Sequence, residues 1–286
     1  MVGIFYLLAW QITRSTLASL IAVFILFGIA DFSIDKYQIL NLRIPILGSS
    51  SIGFREPVFL NFRSVAMLFI LGSTLFFWKR QLILSSVLLA LGVYCHAVNS
   101  LIFFVGFCGA LVVSLFLERD LRKFLYDFFK FTLPLLIIIS PYIAGTMSMF
   151  SEVIPIDFAS YWSFAVKNEP DDMSPIWYFI YFKSLFLVGF VLTVIAGCLH
   201  LVFKSAKPIK GKELKAHLLS EDLTLPLLFA PWLILGFAMV WEVSLIPFLP
   251  NFLNEIIATM TFRRITIVSA VVYVPILSIV LCRILL

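Results

Sequence analysis

Residues 81–117 read QLILSSVLLALGVYCHAVNSLIFFVGFCGALVVSLFL, with Arg80 before them, Glu118 after them and no Asp, Glu, Lys or Arg between. A helix that crosses a bilayer needs about 20 apolar residues, within roughly 17 to 25, so the run is too long for one span and suits two. The polar interruption Cys95-His96-Ala97-Val98-Asn99-Ser100 marks the break. It predicts a tight hairpin of two helices, with Asn99 or Ser100 capping the second.

Uncharged runs of the same kind lie between Arg14 and Asp31, Arg63 and Lys79, Lys130 and Glu152, Lys183 and Lys204, Asp222 and Glu242, and Arg264 and Arg283. Together they predict an all-α, polytopic integral membrane protein with about eight transmembrane helices, residues 1–286 forming a single transmembrane domain. Composition agrees: 62% of residues are hydrophobic and 13% charged, where a soluble domain carries about 25% charged residues. The net charge of +5 has no basic run attached to a soluble module, which argues against nucleic acid as a partner. Cys95, Cys108, Cys198 and Cys282 all sit in apolar stretches without Cys-x-x-Cys spacing, so they read as small buried hydrophobes. Zincin, P-loop and nucleophile-elbow motifs are absent from the sequence, which excludes the corresponding soluble-type active sites.

The second span is expected to begin at Pro57, a good first helical residue, which puts Arg63 inside the helix. Met1 opens directly onto apolar sequence without a basic region, so no cleavable signal peptide is predicted. Residues 1–13 are short for a span and are expected to form an interfacial helix, or the tail of a helix whose beginning is missing.

Orientation follows from the excess of Lys and Arg in cytoplasmic loops. With Arg14 inside, 13 of the 21 basic residues fall on the inner side. This orientation puts the C-terminus on the cytoplasmic side of the membrane, which the family resemblance given below implies is the bacterial inner membrane. Residues 118–130 carry Leu121, Phe124, Leu125, Phe128 and Phe129 at helical spacing and are expected to lie flat at the inner surface as an amphipathic helix. The Lys-rich stretch 204–222 reads as a cytoplasmic loop meeting anionic headgroups.

Three outer segments, 31–57, 152–176 and 242–263, are Pro-punctuated yet apolar, the pattern of re-entrant or surface helices that shape a cavity. Arg63 lies fifteen residues before Trp78, and His96 fifteen after Gln81. At ~1.5 Å per residue both stand roughly 22 Å above the inner boundary. Ionisable groups at that depth tend to face a polar cavity. They outline a site for an anionic headgroup, most naturally a phosphate, held by Arg63 with Arg263 or Arg264, with His96 giving or taking a proton. The bland alternative is that the arginines snorkel to the interface and His96 occupies a wet turn. Asp171 and Asp172 are weak candidates for a metal and better ones for capping the helix that follows them.

The unit Phe62-Arg63-Ser64-Val65-Ala66, an apolar helix, Trp78-Lys79-Arg80-Gln81, a second helix and Cys95-His96-Ala97 resembles one found in bacterial GT-C-like membrane proteins. Phe262-Arg263-Arg264 is similar to the Arg-bearing start of a late helix in the same proteins. The resemblance implies a transferase that takes a sugar from a polyprenyl-phosphate carrier at the outer face, with the arginines on the lipid phosphate and His96 as the candidate catalytic residue. The chain departs from that pattern in three places. Ala97 follows His96 where relatives have Pro, and Glu169 to Asp172 stand where some have paired histidines. No residue matches the acidic residue of the family's first outer loop, which the resemblance puts upstream of this chain's start.

The leading expectation is therefore a GT-C-like membrane glycosyltransferase, or a fragment of one, with membrane lipid and a polyprenyl-phosphate sugar as its partners. A transporter or flippase for an anionic or amphipathic substrate is the alternative, and a non-catalytic membrane subunit the third. The cofactor is left open.

Overall fold

The computed structural model describes residues 2–25, 62–150, 162, 163, 166, 167, 175–205, 223–250, 254, 257 and 266–285. Within them the chain is helical and contains no strand. The helices are α1 (Val2–Thr13), α2 (Thr16–Val23), α3 (Phe62–Trp78), α4 (Leu82–Cys95), α5 (Ala97–Glu118), α6 (Leu121–Phe150), α7 (Pro175–Ser205), α8 (Thr224–Val240) and α9 (Thr266–Leu285). A π-helical turn, Trp241–Leu245, continues α8. Among the described residues three helical stretches, Ala97–Glu118, Leu121–Thr146 and Thr224–Leu245, are long and apolar enough to cross a membrane, and several shorter apolar helices accompany them.

The α3–α4 hairpin organises the bundle. Lys79, Arg80 and Gln81 reverse the chain, with Gln81 N donating to Phe76 O and Arg80 N to Phe77 O, each at 2.9 Å. Those two bonds close the end of α3 as a Schellman-type cap, with Arg80 in the left-handed position at φ 56°. Further along, Ser73 Oγ donates to Ser85 O at 2.8 Å and pairs with Ser85 Oγ at 2.9 Å. Between apolar helices such bonds fix register, since each hydroxyl finds its partner at one alignment only.

Aromatic packing fills the space between the hairpin and its neighbours. Phe77 stacks on Phe107 of α5 with centroids 4.3 Å apart, and Phe131 of α6 meets Phe77 edge-on at 5.3 Å. Helix α5 runs antiparallel to α8 at close range. A methyl group added to Gly109 would meet Ile234 Cδ1 at 2.6 Å and Ala230 Cβ at 3.3 Å. Helix α7 is also antiparallel to α8: Gly189 abuts Trp232 while Gly197 abuts Phe229. Trp232 Nε1 donates to Thr193 Oγ1 at 3.0 Å and pins that pair.

Several expectations change here. Residues 121–130 are the beginning of α6, which runs unbroken through Pro134 and Pro141 to Phe150. They are thus not a separate element: Leu125, Phe129 and Leu133 form one exposed apolar stripe that carries on along the same helix. Helix α1 is packed into the bundle. Phe5, Leu8 and Ala9 are fully buried, and the helix packs on α2, α3 and α9. Cys198 is exposed, not buried. Pro57, most of the three outer segments and residues 206–222 of the Lys-rich stretch lie outside the described residues.

Phe107 has neighbours on two other helices, so Phe107→Ala should cost about 3–5 kcal/mol, the usual loss for a core aromatic that leaves a cavity. Reversible unfolding in mild detergent measures this. A loss below about 1 kcal/mol would mean that the aromatic cluster does not hold the bundle.

Candidate functional site

Helix α4 ends at Cys95 and α5 begins at Ala97, so His96 is the single residue between them, with extended backbone at φ −159° and ψ 94°. Its ring Nδ1 accepts the N–H of Asn99 at 3.3 Å. His96 is therefore the cap of α5, in place of the expected Asn99 or Ser100. Ser100 Oγ turns back and donates to His96 O at 3.1 Å. Because Nδ1 is an acceptor, the neutral ring carries its proton on Nε2.

Asn99 is only 2% exposed, and neither its Oδ1 nor its Nδ2 has a hydrogen-bond partner. An amide in that position costs about 1–3 kcal/mol relative to a satisfied one. It heads the stripe of α5 that faces α8 and α9. Three residues on, Ile102 clusters with Leu235 and Ala238 of α8, and four further on Gly106 abuts Val268 of α9. Since α5 and α8 are antiparallel, one more turn outward brings Asn99 level with Trp241 and Glu242, where α8 loosens into its π-helical turn.

The turn that carries Arg63 reaches the same level. A methyl group on Gly92 would lie 3.7 Å from Ala66 O and 3.5 Å from Ile70 Cγ1, so Gly92 stands opposite the early part of α3. One turn beyond Gly92 is His96, and one turn before Ala66 is Phe62-Arg63. The structure thus brings the backbone of Arg63 and His96 to one end of the hairpin. Arg263, Arg264, Asp171 and Asp172 lie outside the described residues. Among the described residues, no group of three or more His, Cys, Asp and Glu side chains is placed to hold a metal.

Two further features mark this end. Glu242 Oε2 accepts the N–H of Ile176, in the first turn of α7, at 3.0 Å. A carboxylate suits a helix N-terminus, and this one comes from 66 residues away. Trp241 Nε1 donates to Asn254 Oδ1 at 2.8 Å, and Asn254 Nδ2 donates to Ile246 O and Leu249 O. That buried amide is fully satisfied, and it folds the segment after α8 back onto Trp241.

The opposite end holds an ion-pair node, most of whose members fall in the segment 118–130 that the sequence marked as an amphipathic helix. Arg80 donates to Glu118 of α5, to Asp127 Oδ2 of α6 at 2.8 Å and to Ser114 Oγ at 3.2 Å. Lys123 Nζ lies 2.8 Å from the second oxygen of Glu118. The side chains of Arg80, Glu118 and Asp127 are 16%, 12% and 13% exposed. Arg80 and Lys123 thus meet Glu118 and Asp127 in one network. Its place is structural: it joins the α3–α4 turn to the α5–α6 connection, where Asp120 Oδ1 caps α6 through the Lys123 N–H at 2.9 Å.

Comparison with protein-family models, with curated proteins and with solved structures finds no match for this chain.

Removing one member of a largely buried ion-pair network strands its partners. Arg80→Ala should therefore destabilise the protein by about 3 kcal/mol. Neutralising the three most buried members together, as R80M/E118Q/D127N, leaves only the more exposed Lys123 charged and should recover most of that loss. Detergent unfolding of both variants is the measurement; a triple variant as unstable as R80A would show that the charges themselves are required.

Proposed function

We propose that the chain is an integral membrane protein crossing the bilayer about eight times, with the Arg80 end on the inner side and the His96 end toward the outer side. At that outer end it would bind the phosphate of a lipid-linked sugar, as a GT-C-like glycosyltransferase or a part of one. Three apolar helices of spanning length support insertion. So do large apolar side chains exposed along α6, among them Phe129, Leu133 and Ile137, because such faces suit lipid and not water.

The observation that carries the reading is the polar break at His96-Asn99, level with the turn of Arg63 in an otherwise apolar hairpin. Helix α4 has 14 residues, a rise of about 21 Å, which falls short of the roughly 30 Å hydrocarbon core. His96 then lies below the outer boundary, where polar side chains are costly unless they face a polar cavity or a ligand. A phosphate entering from the outer leaflet meets the Arg63 turn and the polar break that His96 forms between the two helices. In sugar transfer the bond between the sugar and the carrier phosphate breaks and a bond to an acceptor hydroxyl forms. The proton of that hydroxyl goes to a base, and polyprenyl phosphate leaves with its charge held by the arginines. This chemistry rests on the resemblance of the Arg63 to His96 unit. Among the described residues Glu242 is the carboxylate at this end.

Arg63→Ala should weaken polyprenyl-phosphate binding by about 10- to 100-fold, as expected when a charge-assisted hydrogen bond is lost, while the protein stays folded. Binding in nanodiscs, with circular dichroism as the folding check, measures both. Unchanged binding in a folded R63A variant would remove the main support. In proteoliposomes, sugar transferred from the carrier to an acceptor supports a transferase, whereas movement of substrate without a covalent product supports transport.

A further inference from the structure

Asn99 is the one described residue at the outer end whose side chain is both buried and wholly unpartnered. We propose that its amide is a specificity-determining group that reads a hydroxyl of the ligand's sugar, beside the phosphate. This rests on the lipid-phosphate reading above and adds the group next to the phosphate.

The argument is one of hydrogen-bond complementarity. The amide offers an acceptor, Oδ1, and two N–H donors on Nδ2, and none is used within the protein. A hydroxyl both donates and accepts, so it can satisfy the two amide atoms together or through its neighbour on a sugar ring. A phosphate oxygen only accepts and leaves Oδ1 unpaired; a lipid tail satisfies neither atom. Placement agrees with this role. His96 holds the Asn99 backbone N–H, so the first turn of α5 is fixed and the amide is presented from a rigid position. It stands at the α5–α8 seam, level with the π-helical turn Trp241–Leu245, and π-helical turns recur at functional sites. Asn254, the other buried amide at this end, has all its polar atoms bonded. The fold thus satisfies a buried amide where the role is structural. Leaving Asn99 unsatisfied is a stability loss that a ligand hydroxyl would remove.

The test compares the wild-type chain with Asn99→Leu in nanodiscs, using two probes: a bare polyprenyl phosphate and the same carrier bearing one hexose. Leu has similar volume and needs no partner, so N99L should melt at a higher temperature than wild type. Its affinity for the hexose-bearing carrier should fall about tenfold, the loss of one or two neutral hydrogen bonds, while its affinity for the bare carrier stays the same. Asn99→Ala should lose the same preference and serves if N99L does not fold. A lower melting temperature in N99L, or an unchanged preference for the hexose-bearing carrier, would overturn the proposal. A wild-type protein that binds the bare carrier without gaining from the hexose would sink this inference and leave the phosphate reading standing. One that binds neither probe would remove both.

Discussion

The guanidinium of Arg80 ties three helix ends together at one pole of the bundle, and the placement of everything at the other pole follows from it. Arg80 sits in the left-handed backbone region, at φ 56°, where a side chain costs of order 1–3 kcal/mol and glycine would be free. The side chain accounts for its presence there. It reaches Ser114 and Glu118 on α5 and Asp127 on α6, so the reversal from α3 to α4 cannot slide past the reversal from α5 to α6. With that pole fixed, helix length sets the heights of the residues at the other. Helices α3 and α4, of 17 and 14 residues, leave one turn together and bring the backbone of Arg63 and His96 to one level.

The two poles differ in how they treat polar groups. At the Arg80 pole, two carboxylates, Glu118 and Asp127, are held by Arg80 and Lys123. At the His96 pole there is a histidine that caps a helix, a carboxylate on the first amide of another helix, one satisfied buried amide and one that is not. A pole designed only for stability would place an apolar residue at 99, since an unpartnered amide in an apolar bundle is a net loss. On the proposed reading function and stability pull apart at that residue, and this is the physical reason for proposing the ligand there and not at the ion-paired Arg80 node.

Much of the architecture could be read from charge spacing. The run 81–117 gave two helices and a break at His96, because an apolar stretch twice the length of a span must turn and the turn needs polar groups. The level of Arg63 and His96 followed from residue counting about a turn of known position. What could not be read was which side chain meets which. His96 caps α5 because its extended backbone points Nδ1 at the Asn99 N–H, whereas propensity favoured Asn99 or Ser100. Glu242 holds the start of α7 from 66 residues along the chain, a distance at which sequence gives no signal. The continuity of α6 was missed because an amphipathic segment and an apolar span look like two elements when charge is the ruler. The Arg80 node was hidden for the same reason: inner-loop charges serve topology by default, and only the fold shows that four of them pair.

The central claim is that the His96 pole takes up the phosphate of a lipid carrier. The most direct measurement is photo-crosslinking of the full chain in nanodiscs with a polyprenyl phosphate that bears a diazirine next to the phosphate, followed by peptide mapping. Label concentrated on residues 62–66 and 95–100, and displaced by excess unlabelled polyprenyl phosphate, is the predicted result. Label spread along the exposed face of α6, or gathered at the Arg80 pole and indifferent to competitor, would contradict the claim.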